Sequence, residues 1–545
     1  MNRIARSLLA AVAVALCIAS CVQADVRMHK LFSSEMVLQR NTAVPVYGWA
    51  DPCEAVSVKF GDQALSTTAG TDGKWMVKLA KMPASTAPQD MTISGKNTIT
   101  LTNILVGDVW LCSGQSNMAF GLGGCNAPKD IETANFPQIR FITLPIICKP
   151  NQTEDIDTRE GWFHWYTCNP GNARDISAVA FYFGRKIHKE TGAPIGLLIS
   201  SVGGTNIEKW MPQESFYTRP ELAGMARDIE RAIDQYHKDL ADYLDKGISD
   251  NIAKLNEWKP LVEKAMAENK DIPDAPQLAS LPLHPSMLGS RAGGNWLHLY
   301  NGMISPLVKF PIKGAIWYQG ENNSEEIDSY VAKMDAMIST WRKNWGIDFP
   351  FYYVQLANWL QPSDIPSGED NQYKWQRCRL AQLRVLSQVA KTGMAVTIDC
   401  GDAGDIHPRD KFDVGERLAL WALAKDYGKT GLVYSGPLYK GMKIEEDKIR
   451  ISFESVGSGL MVAEKKGLEP AREVNGGTLK RFAIAGADKV WHWADAKIDA
   501  NTVVVSSPEV PAPVAVRYAY HINPEGCNLY NKEGLPASPF RTDDW

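Results

Sequence analysis

The sequence lacks a block of basic residues, a paired-cysteine motif and, beyond residue 24, any long apolar run. Lys and Arg number 58 against 62 Asp and Glu, and no stretch concentrates one sign of charge, so nucleic-acid binding is unsupported. No CxxC motif and no Cys/His cluster has the spacing of zinc ligands, so we expect no metal site. Because no later apolar run could cross a bilayer, we expect no membrane span.

The first 24 residues have the pattern of a secretory signal peptide. Arg3 and Arg6 precede an apolar run over residues 8–19 that is too short for a stable membrane helix. Small residues at 22–24 offer a cleavage site before residue 25, whereas residues 18–21 resemble a bacterial lipobox that would leave Cys21 lipidated. The leader predicts an exported protein, secreted or periplasmic, with simple cleavage favoured and a lipid anchor at Cys21 as the alternative.

Eight cysteines follow the leader, and export would permit them to form disulfides. Cys112 with Cys125 and Cys148 with Cys168 are the pairs that we consider plausible, although the sequence does not fix the connectivity.

The hydropathy pattern changes three times along the 545 residues, as expected for a chain too long for one core. Short alternating runs predict a β domain over residues 25–105, and alternating apolar strands and helical stretches predict a parallel α/β sheet over residues 106–428. An insert over about residues 220–295 interrupts that region: helical spacing from 220 to about 269 predicts a helical hairpin, and residues 273–295 form a Pro- and Gly-rich loop long enough to line a cleft. Residues 429–545 predict a C-terminal β-sandwich.

Residues 106–120, VGDVWLCSGQSNMAF, predict a buried strand, a tight turn and a helix, with Ser116 at the bend. This geometry presents a hydroxyl at the carboxyl edge of the sheet, where α/β folds place their chemistry. Ser116 is therefore a candidate nucleophile. The alternative is that Ser116 or Asn117 only caps the helix.

A nucleophilic serine needs a base, and His407 has the right context for one. The stretch TIDCGDAGDIHP, residues 397–408, follows a predicted strand and precedes a predicted helix, which places His407 at the same edge as Ser116. Asp405 could orient the imidazole and stabilise its charged form. The alternative is that these residues form an ordinary turn.

Two further strand ends could supply donors for the negative charge that develops on an attacked carbonyl. Residues 200–206, SSVGGTN, place glycines where a backbone N–H can approach a substrate closely, and residues 318–323, YQGENN, offer amide side chains. Either stretch alone is a common turn. Four such strand ends meeting at one edge favour catalysis.

The set GQSN (residues 114–117), GGT (203–205), GENN (320–323) and DIHP (405–408) resembles the four blocks of the SGNH hydrolases. The sequence is more specifically similar to the sialate O-acetylesterase family. That resemblance extends over nearly the whole chain after the leader, from KLFSSEMVLQR through IKGAIWYQGENN to VRYAYHINPEGCNLYNKEGLPASPFRTD. It implies a flavodoxin-like SGNH core with a parallel sheet, flanked by N-terminal and C-terminal β-sandwich domains and acting without a cofactor.

The resemblance also implies roles for individual residues. Ser116 would be the nucleophile and His407 the general base. The oxyanion hole would consist of the Ser116 N–H, the Gly204 N–H and the Asn322 side chain, with Gly203 as the substitute for Gly204. Because Gly404 stands three residues before His407, where the superfamily's DxxH block has its acid, we assign the acid to Asp405; Asp402 or a backbone carbonyl remains the alternative.

These roles predict a serine esterase that removes O-acetyl groups from carbohydrates, foremost the 9-O-acetyl groups of sialic acids, through an acetyl-enzyme. An acetyl xylan or xyloglucan esterase with the same machinery is one alternative. A non-catalytic carbohydrate-binding protein is the other, since 17 Trp and 18 Tyr supply flat surfaces that stack on sugar rings. Glycoside hydrolysis is disfavoured, because it needs two opposed carboxylates and leaves the serine idle.

Overall fold

The computed structural model describes residues 25–159, 161–287, 296–325, 327–369 and 373–545. The predicted signal peptide, the proposed cleavage site at residues 22–24 and Cys21 therefore lie outside the described residues. Within them the protein is a mixed α/β structure, with one large mixed sheet and additional β-sheets on either side of it along the chain.

The N-terminal region is built from short strands whose side chains alternate between buried and exposed, most regularly in the fourth and sixth. That alternation covers one face of a sheet and leaves the other in water. The strands are β1 (Arg27–Met28), β2 (Val37–Gln39), β3 (Val44–Trp49), β4 (Ala55–Phe60), β5 (Gln63–Thr68), β6 (Lys74–Leu79) and β7 (Ser85–Ser94). β1, β3 and β6 form a separate sheet, and the others join the large sheet.

Strand β8 (Thr98–Gly114) is common to the N-terminal region and the parallel sheet. As far as Val106 it pairs with the antiparallel β7, and from Asp108 onward it pairs with parallel neighbours. Arg40 binds both carboxylate oxygens of Asp108 at this junction, at 2.9 and 2.7 Å. The predicted boundary after residue 105 thus falls inside one continuous strand, and the division into domains stays a prediction.

The parallel part of the large sheet is buried on both faces, as expected where helices cover a sheet. Its further strands are β9 (Phe136–Thr143), β10 (Tyr166–Cys168), β11 (Ile195–Ser201), β12 (Gly314–Tyr318), β13 (Phe351–Val354) and β14 (Thr392–Ala395). They lie in the order β10-β9-β11-β8-β12-β13-β14, and only β10 is antiparallel to its neighbour. Because the chain adds strands first on one side of β8 and then on the other, the carboxyl ends of β8 and β12 frame a topological switch point.

The helices pack against this sheet and against each other; α3 packs on α8, and α6 packs on α7. Within the described residues they are α1 (Ser116–Ala119), α2 (Pro128–Glu132), α3 (Ala178–Thr191), α4 (Ala223–Asp242), α5 (Ile248–Ala267), α6 (Tyr330–Trp345), α7 (Trp375–Gln388) and α8 (Lys411–Asp426). In the described part of the chain, no helix combines the length and apolarity needed to cross a membrane.

The helical hairpin predicted within residues 220–295 is wrong. α4 continues through a wide helical turn, Tyr243–Gly247, directly into α5. Gly247, which lies between the two helical stretches and could have formed a turn, keeps right-handed helical angles (φ −59°, ψ −37°). The chain returns as an extended segment beside α5, where the Trp258 indole donates to the Pro273 carbonyl at 3.0 Å.

The C-terminal region consists of antiparallel sheets. Its strands are β15 (Leu438–Glu445), β16 (Lys448–Glu454), β17 (Leu460–Glu464), β18 (Arg472–Glu473), β19 (Phe482–Gly486), β20 (Trp491–Trp493), β21 (Asp495–Asp499), β22 (Thr502–Ser506), β23 (Pro513–Tyr518), β24 (Leu529–Asn531) and β25 (Phe540–Arg541). The sheets β15-β16-β22-β21 and β20-β19-β23-β25 enclose a shared apolar core that includes Ile451, Phe482, Val505 and Val516.

The predicted disulfides are also wrong, because Cys112, Cys125 and Cys168 carry free thiols and each of the two pairs, Cys112–Cys125 and Cys148–Cys168, needs at least one of them. The Cys168 thiol donates to the Ala134 carbonyl at 3.8 Å instead. Burial raises the pKa of Cys125 to about 11 and that of Cys168 to about 12, so these side chains behave as small apolar groups.

Arg379, on α7, joins the parallel sheet to the C-terminal region. Its guanidinium is fully buried and donates to the carbonyls of Leu356 and Ala357, both at 2.7 Å, on the loop after β13. It also donates to the carbonyls of His521 at 2.5 Å and Ile522 at 2.9 Å, which follow β23. Burial lowers the pKa of Arg379 to about 9, so the backbone acceptors are what make this buried charge tolerable.

We expect Arg379→Met to lower the free energy of unfolding by about 3 kcal/mol or more, because it deprives buried carbonyls of charged donors. Arg377→Met is the matched control: Arg377 lies on the same helix but is exposed, and its 3.1 Å pair with Glu369 is worth at most about 1 kcal/mol. Urea denaturation of both variants checks this. Equal losses would contradict a clamping role for Arg379.

Candidate active site

The structure brings Ser116 and His407 together. Ser116 is the first residue of α1, directly after the turn that ends β8. Gly114 in that turn has φ +136°, and a Cβ there would lie 2.2 Å from the carbonyl oxygen of Tyr318, so only glycine fits. His407 lies on the loop between β14 and α8, and its Nε2 is 2.8 Å from Ser116 Oγ. That is hydrogen-bond distance between a hydroxyl and a base.

Of the two candidate acids, Asp405 is the one beside the imidazole. Its Oδ1 lies 3.4 Å from His407 Nδ1 and accepts the backbone N–H of His407 at 2.8 Å. Asp402 is exposed and its Oδ1 accepts the N–H of Gly404 at 2.8 Å. The geometry therefore favours Asp405 as the group that orients the histidine, at ion-pair distance and with both side chains partly exposed.

The loops after β11 and β12 border the serine from the other side. A Cβ on Gly203 would lie 3.2 Å from Ser116 Cβ, so glycine is what allows this loop to pack against the serine. Gly204 follows with φ +67° and is exposed. Asn322 is exposed too, and its amide nitrogen donates to Asn206 Oδ1, which ties the two loops to each other. The loop that carries Gly203 and Gly204 thus packs against the nucleophile, and the loop that carries Asn322 is joined to it.

Comparison with known proteins shows that this chain is similar to carbohydrate esterases. A model described as carbohydrate esterase, sialic acid-specific acetylesterase, matches residues 106–233 and 286–423. The sialate O-acetylesterases of Mus musculus and Homo sapiens are 27% and 28% identical, over 94% of this chain and 94% and 92% of their own. The crystal structure of a carbohydrate acetylesterase from Xanthomonas citri is 33% identical, has a TM-score of 0.76, and covers 95% of this chain and all of its own.

The chain belongs to this carbohydrate esterase family. It is therefore a carboxylic ester hydrolase, and family membership favours an enzyme over the non-catalytic carbohydrate-binding protein that the sequence left open.

In this esterase a buried hydrogen-bond network connects three of the four sequence blocks. Its centre is Asn117, which follows Ser116 and is 1% exposed. The Asn117 amide nitrogen donates to Glu321 Oε1 at 2.6 Å and to the Ile406 carbonyl at 3.0 Å. Lys411 Nζ donates to Asn117 Oδ1 and to the Pro408 carbonyl, both at 2.6 Å. The carbonyls on either side of His407 are thus held by side chains packed next to the nucleophile turn.

The two ionisable members of the network are held in an apolar environment. Burial raises the pKa of Glu321 above its usual value and lowers the pKa of Lys411 to about 8. The Lys411 ammonium also lies 5.0 Å from the centre of the Phe120 ring, which itself stacks on His407 with centroids 6.3 Å apart. The charges of this pair are therefore costly unless Asn117 bridges them.

Sequence reasoning placed Ser116, His407 and the two glycine-rich loops at one edge but missed the network beneath them. The sequence suggested only a helix cap for Asn117 and no role for Glu321, and it did not single out Lys411, which lies three residues after the DIHP block. Charged residues are common at a helix start, so the run RDKFD carried no signal that would have distinguished Lys411.

One group of described side chains has the spacing of a metal site. A ligand atom from each of Cys400, Asp410 and Asp413 lies within 4.8 Å of the other two. The ammonium of Lys465 lies 2.9 Å from Asp410 Oδ2 and 2.8 Å from Asp413 Oδ2, so a protein cation already pairs with both carboxylates. The donor set is thus better described as a lysine site than as a metal site.

The pKa of Lys411 makes stability depend on pH. Between its folded value of about 8 and the usual 10.5, the unfolded chain keeps a proton that the folded protein has released. The contribution of Lys411 to the free energy of unfolding therefore rises with pH in this window, by up to about 1.4 kcal/mol per unit.

We expect wild type to gain stability relative to Lys411→Met between pH 7.5 and 9.5, measured by urea denaturation at each pH. Lys425→Met, on the exposed face of the same helix, is the control and should follow wild type. A stability difference between wild type and Lys411→Met that is independent of pH would contradict the burial of a charged ammonium.

Proposed function

We propose that the protein is a serine esterase that removes O-acetyl groups from carbohydrates through an acetyl-enzyme on Ser116. The observation that carries this proposal is the 2.8 Å contact between Ser116 Oγ and His407 Nε2, at the sheet edge of a chain that belongs to a carbohydrate esterase family. A serine that only capped a helix would have no reason to meet an imidazole from a residue 291 positions away.

The first step is acetyl transfer to the serine. His407 Nε2 takes the Ser116 proton as Oγ bonds to the acetyl carbonyl carbon, and the imidazolium then gives that proton to the departing sugar oxygen as its bond to the acetyl carbon breaks. In the second step His407 takes a proton from water, the hydroxide adds to the acetyl carbon, and acetate leaves as Ser116 recovers its proton. Asp405 stabilises the charged imidazole in both steps.

The carbonyl oxygen becomes negative in each step and needs donors fixed in advance. The Ser116 N–H at the start of α1, the Gly204 N–H and the Asn322 amide are the groups we assign, with Gly203 as the substitute for Gly204. Support comes from the close packing of Gly203 against Ser116, from the exposure of Gly204 and Asn322, and from the Asn322–Asn206 hydrogen bond that joins their two loops.

Our proposed substrate is the 9-O-acetyl ester of sialic acids. The support is the description of the matching family and the names of the mouse and human relatives, whose likeness extends over 94% of this chain. Aromatic side chains near the site, Phe120 stacked on His407 and Trp359 paired by its backbone with Asp402, would suit the apolar face of a sugar ring.

The proposal also includes the finer fold and the location of the enzyme. The order β11-β8-β12-β13-β14 and the four blocks at the carboxyl edge support a flavodoxin-like SGNH core. The leader supports export, to the periplasm or the medium, with or without a lipid anchor at Cys21.

We expect Ser116→Ala to abolish acetate release from 9-O-acetylated sialic acid, because no other group forms the acetyl ester. Ser113→Ala is the matched control: this serine lies three residues earlier on β8, is fully buried, and should be replaceable without loss of activity. Acetate is measured enzymatically with purified protein, and acetylated xyloglucan and xylan fragments are tested in parallel.

Full activity of Ser116→Ala would refute the mechanism. Serine-dependent release from the plant fragments alone would keep the mechanism and replace the substrate.

A second pair of variants tests the acid. We expect Asp405→Asn to lower kcat about fivefold, because a partly exposed charge pair contributes about 1 kcal/mol, and Asp402→Asn to leave kcat within twofold. Steady-state kinetics on a soluble acetyl ester separate the two. The reverse order would assign the acid to Asp402.

A further inference from the structure

The loop that carries His407 is held at both ends by side chains from the C-terminal region. We define the histidine segment as residues 399–413, which begins four residues after β14 and ends in the first turn of α8. Tyr530, on β24, reaches its beginning, and Lys465, directly after β17, reaches its end. The matched family model stops at residue 423 and so includes neither of these residues.

The beginning of the segment is fixed at Asp399. Arg417 binds both of its carboxylate oxygens, at 2.6 and 2.8 Å, and Tyr530 donates its hydroxyl to Oδ2 at 3.1 Å. Asp399 and Arg417 are buried, and the guanidinium holds the pKa of Asp399 below its usual value in spite of the burial. The Asp399–Arg417 ion pair thus receives an additional hydrogen bond from Tyr530 in the C-terminal region.

The end of the segment is fixed by Lys465. Its ammonium lies 2.9 Å from Asp410 and 2.8 Å from Asp413, and the lysine side chain is only 5% exposed. Asp410 is also the N-cap of α8, because its Oδ1 accepts the N–H of Asp413 at 3.1 Å. Lys465 therefore holds the helix start that comes three residues after His407.

We propose that Lys465 is a positioning residue of the esterase. Through it, the C-terminal region contributes to the active site by fixing the position of His407. The proposal rests on the proposed function, in which His407 is the base. Lys465 touches neither Ser116 nor His407; it acts through Asp410, Asp413 and the backbone between them and the imidazole.

Lys465 would affect the position of His407 because its ammonium lies between two carboxylates, those of Asp410 and Asp413. Without its ammonium, the carboxylates of Asp410 and Asp413 face each other in a largely buried space, and the cations that remain near them among the described residues are Arg417, 3.8 Å from Asp413, and the buried Lys411, which interacts with Asp410. Like charges so placed repel, and the helix start must shift or take up protons to relieve them. A displacement of about 1 Å in a catalytic group can cost about 100-fold in rate.

The test compares Lys465→Met, Lys465→Arg and Arg517→Met with wild type, using 4-nitrophenyl acetate so that the result does not depend on the natural substrate. Arg517 is the matched control, because it forms an equally buried ion pair in the C-terminal region, 2.6 Å from Asp543, outside the histidine segment. Thermal unfolding is measured for each variant, and kinetics are recorded well below the lowest midpoint.

We expect Lys465→Met to lower kcat about 10- to 100-fold with KM within twofold, and Lys465→Arg to restore most of it. Arg517→Met should lose stability and keep kcat. A folded Lys465→Met with wild-type kcat would overturn the proposal, and so would an equal loss of kcat in Arg517→Met. If Lys465→Met does not fold, Tyr530→Phe replaces it, with an expected loss of kcat of about threefold and unchanged KM; wild-type kcat in that variant would overturn the proposal.

His407→Ala, measured beside these variants, separates the two proposals. Full activity of His407→Ala would refute the proposed function. An inactive His407→Ala together with a fully active Lys465→Met would refute only the positioning role.

Discussion

The amide of Asn117 is the constraint on which the rest of the active site depends. It accepts a hydrogen bond from Lys411 and donates one to Glu321, and both of these ionisable side chains are buried. A buried ionisable group needs a hydrogen-bond partner, and this amide supplies one to each of them. Because Asn117 follows Ser116 directly, the same requirement fixes the nucleophile at the turn after β8.

The network explains how a serine and a histidine so far apart in sequence meet at hydrogen-bond distance. Asn117 and Lys411 hold the carbonyls of Ile406 and Pro408, the two neighbours of His407. The imidazole is therefore positioned by its backbone on both sides, and its pairing with the partly exposed Asp405 can be loose, at 3.4 Å. Rigidity in this site comes from buried amide and ammonium groups more than from the carboxylate of the triad.

The C-terminal sheets are connected to this site through polar side chains rather than through a broad apolar interface alone. Arg379 binds backbone carbonyls on both sides of the junction, and Lys465 and Tyr530 bind carboxylates of the histidine segment. Each of these contacts supplies a hydrogen-bond or ion-pair partner to a buried charged group. Separation of the two regions would leave that group without this partner. The junction is thereby more costly to open than its size alone suggests.

The sequence was sufficient to place the candidate site because parallel strands bring their carboxyl ends to one edge, and Ser116 and His407 each follow such a strand. Local patterns failed where the outcome depends on distant contacts. Gly247 is a residue type that favours turns, yet in the structure it is helical. Lys411 and Glu321 gain their roles through a residue about 200 to 300 positions away in sequence, which no local spacing records.

The most direct test of this account is to quench the enzyme with acid during turnover of 4-nitrophenyl acetate and to locate any acetyl group by peptide mass spectrometry. The leaving group is good, so removal of the acetyl group from the enzyme should limit turnover and the intermediate should accumulate. The account predicts an acetyl group on Ser116 of the wild type and none in Ser116→Ala. Acetate production at the wild-type rate without acetyl on Ser116, or with acetyl on another side chain, would contradict it.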